Sequence, residues 1–206
     1  MSSRPVTVSP ETSVMDALEL MKRNNVRRLP VMSGDTLAGI VTELDLLHIS
    51  PSPATSLSVF EINYLISKMK VREAMTTKVL TVAADDTLEK AALMMRKHKI
   101  GGLPVLEGTR LVGIITETDI FDAFIEGFGL KHVGVRLTVD VADRRGAFAE
   151  LTQAISSANA DIISLSTFER APGVARLVIR LRNENADKAC EAVAAQGFTI
   201  VHKHAE

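Results

Sequence analysis

The sequence lacks several things, and each lack removes a class of function. It has one cysteine, Cys190, so no internal disulfide can form, and the expected location is cytoplasmic. Cys190 sits among alanines in an expected helix and reads as a packing residue. Tryptophan is absent and aromatics make up only 4%, so any core must be built from Leu, Ile, Val, Ala and Met. Excess charge is absent as well. There are 24 basic residues against 25 acidic ones, a net charge of −1, which offers nucleic acid no basic face. No apolar run is long enough to span a membrane, and Met1-Ser2-Ser3-Arg4-Pro5 does not read as a signal peptide. Neither nucleic acid nor membrane is an expected partner.

The hardware of catalysis is missing too. The histidines, His48, His98, His132, His202 and His204, are scattered. His202 and His204 share a face of an expected last strand and could chelate a metal only weakly; an exposed strand end is the plainer reading. There is no P-loop, G-x-G-x-x-G, cysteine pair or G-x-S-x-G. No catalytic residue, metal or cofactor is therefore expected, and the chain is read as a non-enzyme.

What is present is an internal duplication. The chain has 206 residues, 46% hydrophobic and 24% charged, enough for a proper core. Shifted by 74 positions, Thr7-Val8 falls on Thr81-Val82, Ala17 on Ala91 and Met21 on Met95. Leu29-Pro30-Val31 falls on Leu103-Pro104-Val105, and Gly34 on Gly108. Gly39-Ile40-Val41-Thr42-Glu43-Leu44-Asp45 falls on Gly113-Ile114-Ile115-Thr116-Glu117-Thr118-Asp119. Each copy reads as a short strand (residues 6–8; 80–82), a helix, a hairpin and a final helix. Val14, Ala17, Leu18 and Met21 form an apolar stripe at helical period, as do Leu88, Ala91, Ala92 and Met95. Ser13 with Asp16, and Asp86 with Glu89, look like N-terminal caps. Hairpins are expected at Ser33-Gly34-Asp35 and Glu107-Gly108-Thr109.

Each Gly-to-Asp stretch reads as a buried strand entering the first turn of a helix. Such a junction gathers unpaired N–H groups and the positive end of the helix dipole, which suits an anion. The threonine hydroxyl can meet a phosphate, and the aspartate can accept hydrogen bonds from the paired hydroxyls of a ribose. Thr-x-x-Asp is also the capping-box pattern, which needs no ligand. Its repetition at fixed spacing favours a nucleotide site.

Between the copies, residues 50–56 have linker composition, and 60–69 read as a helix that covers one end of the pair or docks a partner. After residue 128 the pattern changes. Val135, Leu137 and Val139 alternate with polar residues, Asp143 to Gly146 forms a turn, and a β-α-β-β-α-β order follows, the ferredoxin-like arrangement.

The repeat resembles a tandem pair of CBS domains. The resemblance covers about residues 1–128 and rests on the Leu-Pro-Val strands, the two Gly-to-Asp stretches and Val71-Arg72-Glu73-Ala74-Met75. Residues 132–206 resemble an ACT domain, marked by Asp143-x-x-Gly146. The order is similar to that of acetoin-utilisation AcuB-type proteins. The expected class is α/β (α+β): a first CBS repeat at 1–48, linker and helix at 49–70, a second repeat at 71–128, and a ferredoxin-like ACT domain at 132–206.

The resemblance implies a ligand and its contacts. Adenine would lie against Val26, Arg27, Arg28 and Leu29 in one site and Ile100, Gly101, Gly102 and Leu103 in the other. Ribose would go to Asp45 or Asp119. Phosphates would go to Thr42 or Thr116, helped by Thr7 and Thr81. Arg27 and Arg28 suit phosphate; Gly101 and Gly102 allow close backbone approach. Met1 aligns with Met75, so the first copy lacks a counterpart of 71–74, and its site is expected to be the more open. In the ACT part an amino acid would meet Asp143, Arg144, Gly146, Ala147 and Phe148, although Arg145 stands where many relatives have proline. The implied protein is a homodimeric regulator that senses an adenosine-derived small molecule (AMP, ADP, ATP or S-adenosylmethionine) and acts on an unidentified protein. The alternatives are a constitutive dimerisation scaffold with vestigial sites and an amino-acid sensor working through the ACT domain.

Overall fold

The computed structural model describes residues 4–49 and 58–205. The expected linker at 50–56 and the Met1 alignment lie outside them. The chain divides into two compact units, Met1–Ile120 and Phe121–Glu206.

In the first unit, α1 (Val14–Arg23) starts at the expected cap: the Asp16 N–H donates to Ser13 Oγ at 3.1 Å, and the hydroxyl donates back to Asp16 at 2.6 Å. Its stripe Val14, Ala17 and Met21 is buried. A hairpin of β1 (Arg28–Ser33) and β2 (Thr36–Thr42) follows, with Arg28 opposite Thr42. The short α2 (Glu43–Ile49) grows directly from β2, and α3 (Val59–Lys68) comes next. The strand expected at 6–8 shrinks to one parallel bridge from Val8 to Val31. Pro5 and Pro10 bracket it, and proline cannot donate to a ladder.

The second copy repeats the plan with β3 (Val82–Ala83), α4 (Leu88–His98), β4 (Gly102–Glu107) and β5 (Arg110–Thr116). Here β3 is long enough to pair in parallel with β4. The α4 cap is Thr87, not the expected Asp86–Glu89 pair. Thr87 Oγ1 accepts from the Lys90 N–H, while Asp86 accepts from the Ala83 N–H and pairs with the Lys90 ammonium. The last helix, α5 (Glu117–Gly127), carries the chain into the second unit.

The two repeats share a boundary that sequence order conceals. The 3-10 turn Val71–Glu73 and the residues after it pack into the first repeat's core: Val71 is fully buried there, beside Ala74 and Met75. Thr76 then pairs with Ile40 through bonds of 3.0 and 2.9 Å, extending the first hairpin by one bridge. Gly39 permits this approach. A Cβ on it would lie 2.8 Å from Met75 Sδ and 3.0 Å from the Thr76 carbonyl oxygen. Gly39→Ala is expected to cost about 1–3 kcal/mol through overpacking, read as a lower denaturant midpoint. Ile66 of α3 and Met69 just after it pack on this core, whereas Tyr64 is exposed under Lys68 Nζ.

The second unit is a four-stranded antiparallel sheet in the order β7-β8-β6-β9 with two helices on one face. Its elements are β6 (Val135–Ala142), α6 (Ala147–Ser157), β7 (Ile162–Ala171), β8 (Val174–Leu181), α7 (Ala186–Ala195) and β9 (Thr199–Ala205). This is the expected β-α-β-β-α-β order. Val135, Leu137, Val139 and Val141 face the helices together with Leu177, Ile179 and Leu181, and all are buried. Cys190 packs against this core, and burial raises its thiol pKa. His202 and His204 are exposed on edge strand β9, and no group of three metal-ligating side chains occurs among the described residues.

On the other face, Arg176 forks onto Asp140 at 2.7 and 2.8 Å, with Arg170 at 3.5 Å. The Arg176 hydrogen bonds are the main reason the Asp140 carboxyl lies below its ordinary pKa. A depressed carboxylate stabilises above its unfolded pKa, about 3.9, and loses that contribution as pH falls through the folded value. Asp140→Asn should therefore be less stable than the parent at neutral pH but show a flatter loss below about pH 4. Urea unfolding at several pH values reads both effects.

Candidate adenosyl-ligand clefts

Each Gly-to-Asp stretch places its threonine at a strand end and its aspartate in the first turn of a helix. In both copies the aspartate accepts from the threonine's N–H and hydroxyl. Asp45 Oδ2 accepts from the Thr42 N–H at 2.9 Å and from Thr42 Oγ1 at 2.7 Å, and the Asp45 N–H donates to Thr42 Oγ1 at 3.2 Å. Asp119 Oδ2 accepts from the Thr116 N–H at 2.8 Å and from Thr116 Oγ1 at 2.7 Å. The Glu43 and Glu117 N–H groups donate across the hairpins to the carbonyls of Arg27 and Gly101. Both stretches thus act as helix caps. The cap uses one carboxylate oxygen, and Asp45 Oδ1 accepts no hydrogen bond from the described residues. Capping and ribose recognition are compatible. Burial pushes the Asp119 carboxyl up, but hydrogen bonding, including that from Thr116, outweighs it and leaves the group below its ordinary pKa.

Two clefts lie between the repeats, and each takes residues from both. The larger, about 450 Å³, sets Val26, Arg27 and Arg28 of the first repeat against Gly101, Thr116, Glu117 and Asp119 of the second. The smaller, about 300 Å³, sets Arg28, Ile40, Thr42 and Asp45 against Thr76, Lys78, Leu80, Lys99, Ile100, Gly101 and Gly102. The backbone preceding one copy's Leu-Pro strand therefore faces the other copy's Thr–Asp pair. Leu29 and Leu103 are fully buried core residues and line neither cleft. Thr7 lines a separate depression with Thr12 and Asp16. Thr81 is half-buried at the entry to β3. Glu117, Lys78 and Lys99 are additions that the sequence reading did not single out. Glu117 lay inside the quoted motif; the lysines are gathered only by the fold.

Arg28 lines both clefts. Its guanidinium lies across the two glycines: a Cβ on Gly101 would meet Nη2 at 2.6 Å, and one on Gly102 would meet Nη1 at 2.2 Å. Burial is the main reason its pKa lies below the ordinary arginine value; Glu117 opposes that shift and Arg27 adds to it.

In the second unit, Asp143, Arg144, Gly146 and Phe148 are exposed and Ala147 is buried at the start of α6. Gly146 takes φ 85° at the N-cap. The Arg144 guanidinium is engaged by Glu150 through two hydrogen bonds, the longer 2.7 Å.

A CBS domain model matches residues 1–52 and 71–126, and a TTHA0829-like ACT domain model matches residues 133–203. The chain belongs to the CBS domain family, with an ACT domain following the pair. It is 33% identical over 138 residues to inosine-5'-monophosphate dehydrogenase of Korarchaeum cryptofilum, a match that spans 66% of this chain but only 26% of the relative. Among solved structures, it resembles a Vibrio cholerae protein described as the acetoin utilization protein AcuB, with 33% identity and a TM-score of 0.52 over 64% of this chain and 90% of that one. It likewise resembles CBSX2 solved in complex with AMP, with 34% identity and a TM-score of 0.51 over 64% of this chain and 95% of that one. No helix among the described residues is long and apolar enough to cross a membrane.

Proposed function

We propose that this chain is a non-enzymatic regulator whose CBS pair binds an adenosine-containing ligand (AMP, ADP, ATP or S-adenosylmethionine) in the clefts between its repeats. The observation that carries this reading is the construction of those clefts. Each combines a strand-leading backbone from one repeat with a capped Thr–Asp pair from the other. The AMP held by the similar CBSX2 structure supports the choice of ligand. A ligand gripping both repeats would bias their placement through differential contacts, and a homodimeric chain would pass that bias, with its ACT domain, to a partner protein. The ACT turn at Asp143–Phe148 is a second candidate site, for an amino acid. The scaffold alternative draws on the same hydrogen bonds, which cap α2 and α5 without a ligand.

Thermal unfolding of the full chain with each of the four ligands separates the two readings. A native-state binder at a hundred times its Kd adds about 2.7 kcal/mol and raises the melting temperature. A melting temperature unmoved by all four would favour the scaffold.

A further inference from the structure

Position 28 is the repeat equivalent of position 102, so a symmetric pair would carry two arginines facing each other. This chain carries one. Arg28 extends over the space that Gly102 leaves open, and its Nη1 is buried there with no hydrogen-bond partner among the described residues. A buried guanidinium nitrogen without an acceptor is costly, and an incoming anion would relieve that cost. Gly102, the glycine nearest to that nitrogen, lines the smaller cleft and not the larger. The fixed charges point the same way. The smaller cleft has Arg28, Lys78 and Lys99 against the single carboxylate of Asp45. The larger sets Arg27 and Arg28 beside Glu117, and the Asp119 carboxylate there is already engaged by hydrogen bonds.

We propose that the two clefts are sorted by charge, with a phosphate-bearing adenosyl ligand taken by the Thr42–Asp45 cleft through Arg28 and turned away from the Thr116–Asp119 cleft by Glu117. This deepens the adenosyl-ligand reading and rests on it. It makes Arg28 the residue that sets specificity for an anionic nucleotide over a neutral nucleoside. It also sets the stoichiometry at one nucleotide per chain, because Glu117 closes the second cleft to a phosphate.

The test is calorimetric titration of the full chain with AMP and with adenosine. The parent is expected to bind one AMP per chain, at least tenfold tighter than adenosine. Arg28→Gln should erase that margin by weakening AMP far more than it weakens adenosine. Gly102→Ala should do the same by displacing the guanidinium, and Arg28→Lys should restore part of it. Glu117→Gln should raise the stoichiometry toward two. Circular dichroism and a melting curve on each variant confirm that the fold is kept. Equal affinity for AMP and adenosine in the parent, or two equal AMP sites, would overturn charge sorting and leave the adenosyl-ligand reading standing. No binding of either compound would overturn both.

Discussion

Asp45→Ala is expected to weaken AMP binding by tenfold or more, whereas Asp119→Ala should leave AMP affinity close to the parent's. Asp45 caps α2 with Oδ2 and keeps Oδ1 for a ligand. A hydrogen bond to a charged acceptor contributes about 1.5–3 kcal/mol, and each 1.4 kcal/mol is a factor of ten. The same substitution removes a helix cap, which costs about 0.5–2 kcal/mol of stability. The two effects are separable because titration reads only the folded fraction. Asp45→Asn sharpens the contrast: it keeps a neutral acceptor for the cap but loses the charge that strengthens a bond from a ribose hydroxyl. If Asp45 served only as a cap, the folded Ala variant would bind AMP as the parent does while melting at a lower temperature.

Leu103→Ala should be the most destabilising single change at the site's foundation, costing about 2–5 kcal/mol. Leu103 is fully buried and sits next to Gly102 in β4, paired with Ile115 of β5. The cluster around it is small: among the described residues its other buried members are Val82, Ala91, Met95, Val105 and Ile115. A cavity there has few neighbours that can relax into it, which places the cost toward the upper end of that range. Because β4 also carries the glycines under Arg28, nucleotide affinity should fall along with stability. Chemical denaturation of the variant measures the first effect and titration below its midpoint the second. A loss under about 1 kcal/mol would mean that the second repeat does not depend on this core.

The duplication was legible because both copies solve one physical problem with one residue pattern. The buried stripe Val14–Ala17–Met21 and the Ser13–Asp16 cap follow from helical period and capping chemistry, which are local. The βαββαβ order of the second unit was legible for the same reason: Val135, Leu137 and Val139 alternate with polar residues along β6. The α4 cap was misread because Asp86 and Thr87 are both good cap formers and adjacent. The strand-like dihedrals at Thr87 and the Asp86–Lys90 pair decide between them only in three dimensions. The lead-in at 71–75 opens the second copy in sequence, yet Val71, Ala74 and Met75 pack in the first copy's core, a crossing that no local pattern encodes. Most of the candidate site residues were visible as motif positions. Their grouping was not: the exchange of Thr–Asp pairs between repeats, the recruitment of Lys78 and Lys99, and the reach of Arg28 over Gly102 all depend on how the two hairpins face each other.

The most direct test of the central claim is calorimetric titration of the full chain with AMP, ADP, ATP and S-adenosylmethionine. The clefts predict saturable binding of at least one phosphate-bearing ligand, at one site per chain, and its loss in Asp45→Ala. Flat titrations with all four would contradict the claim and leave the two Thr–Asp pairs as helix caps alone.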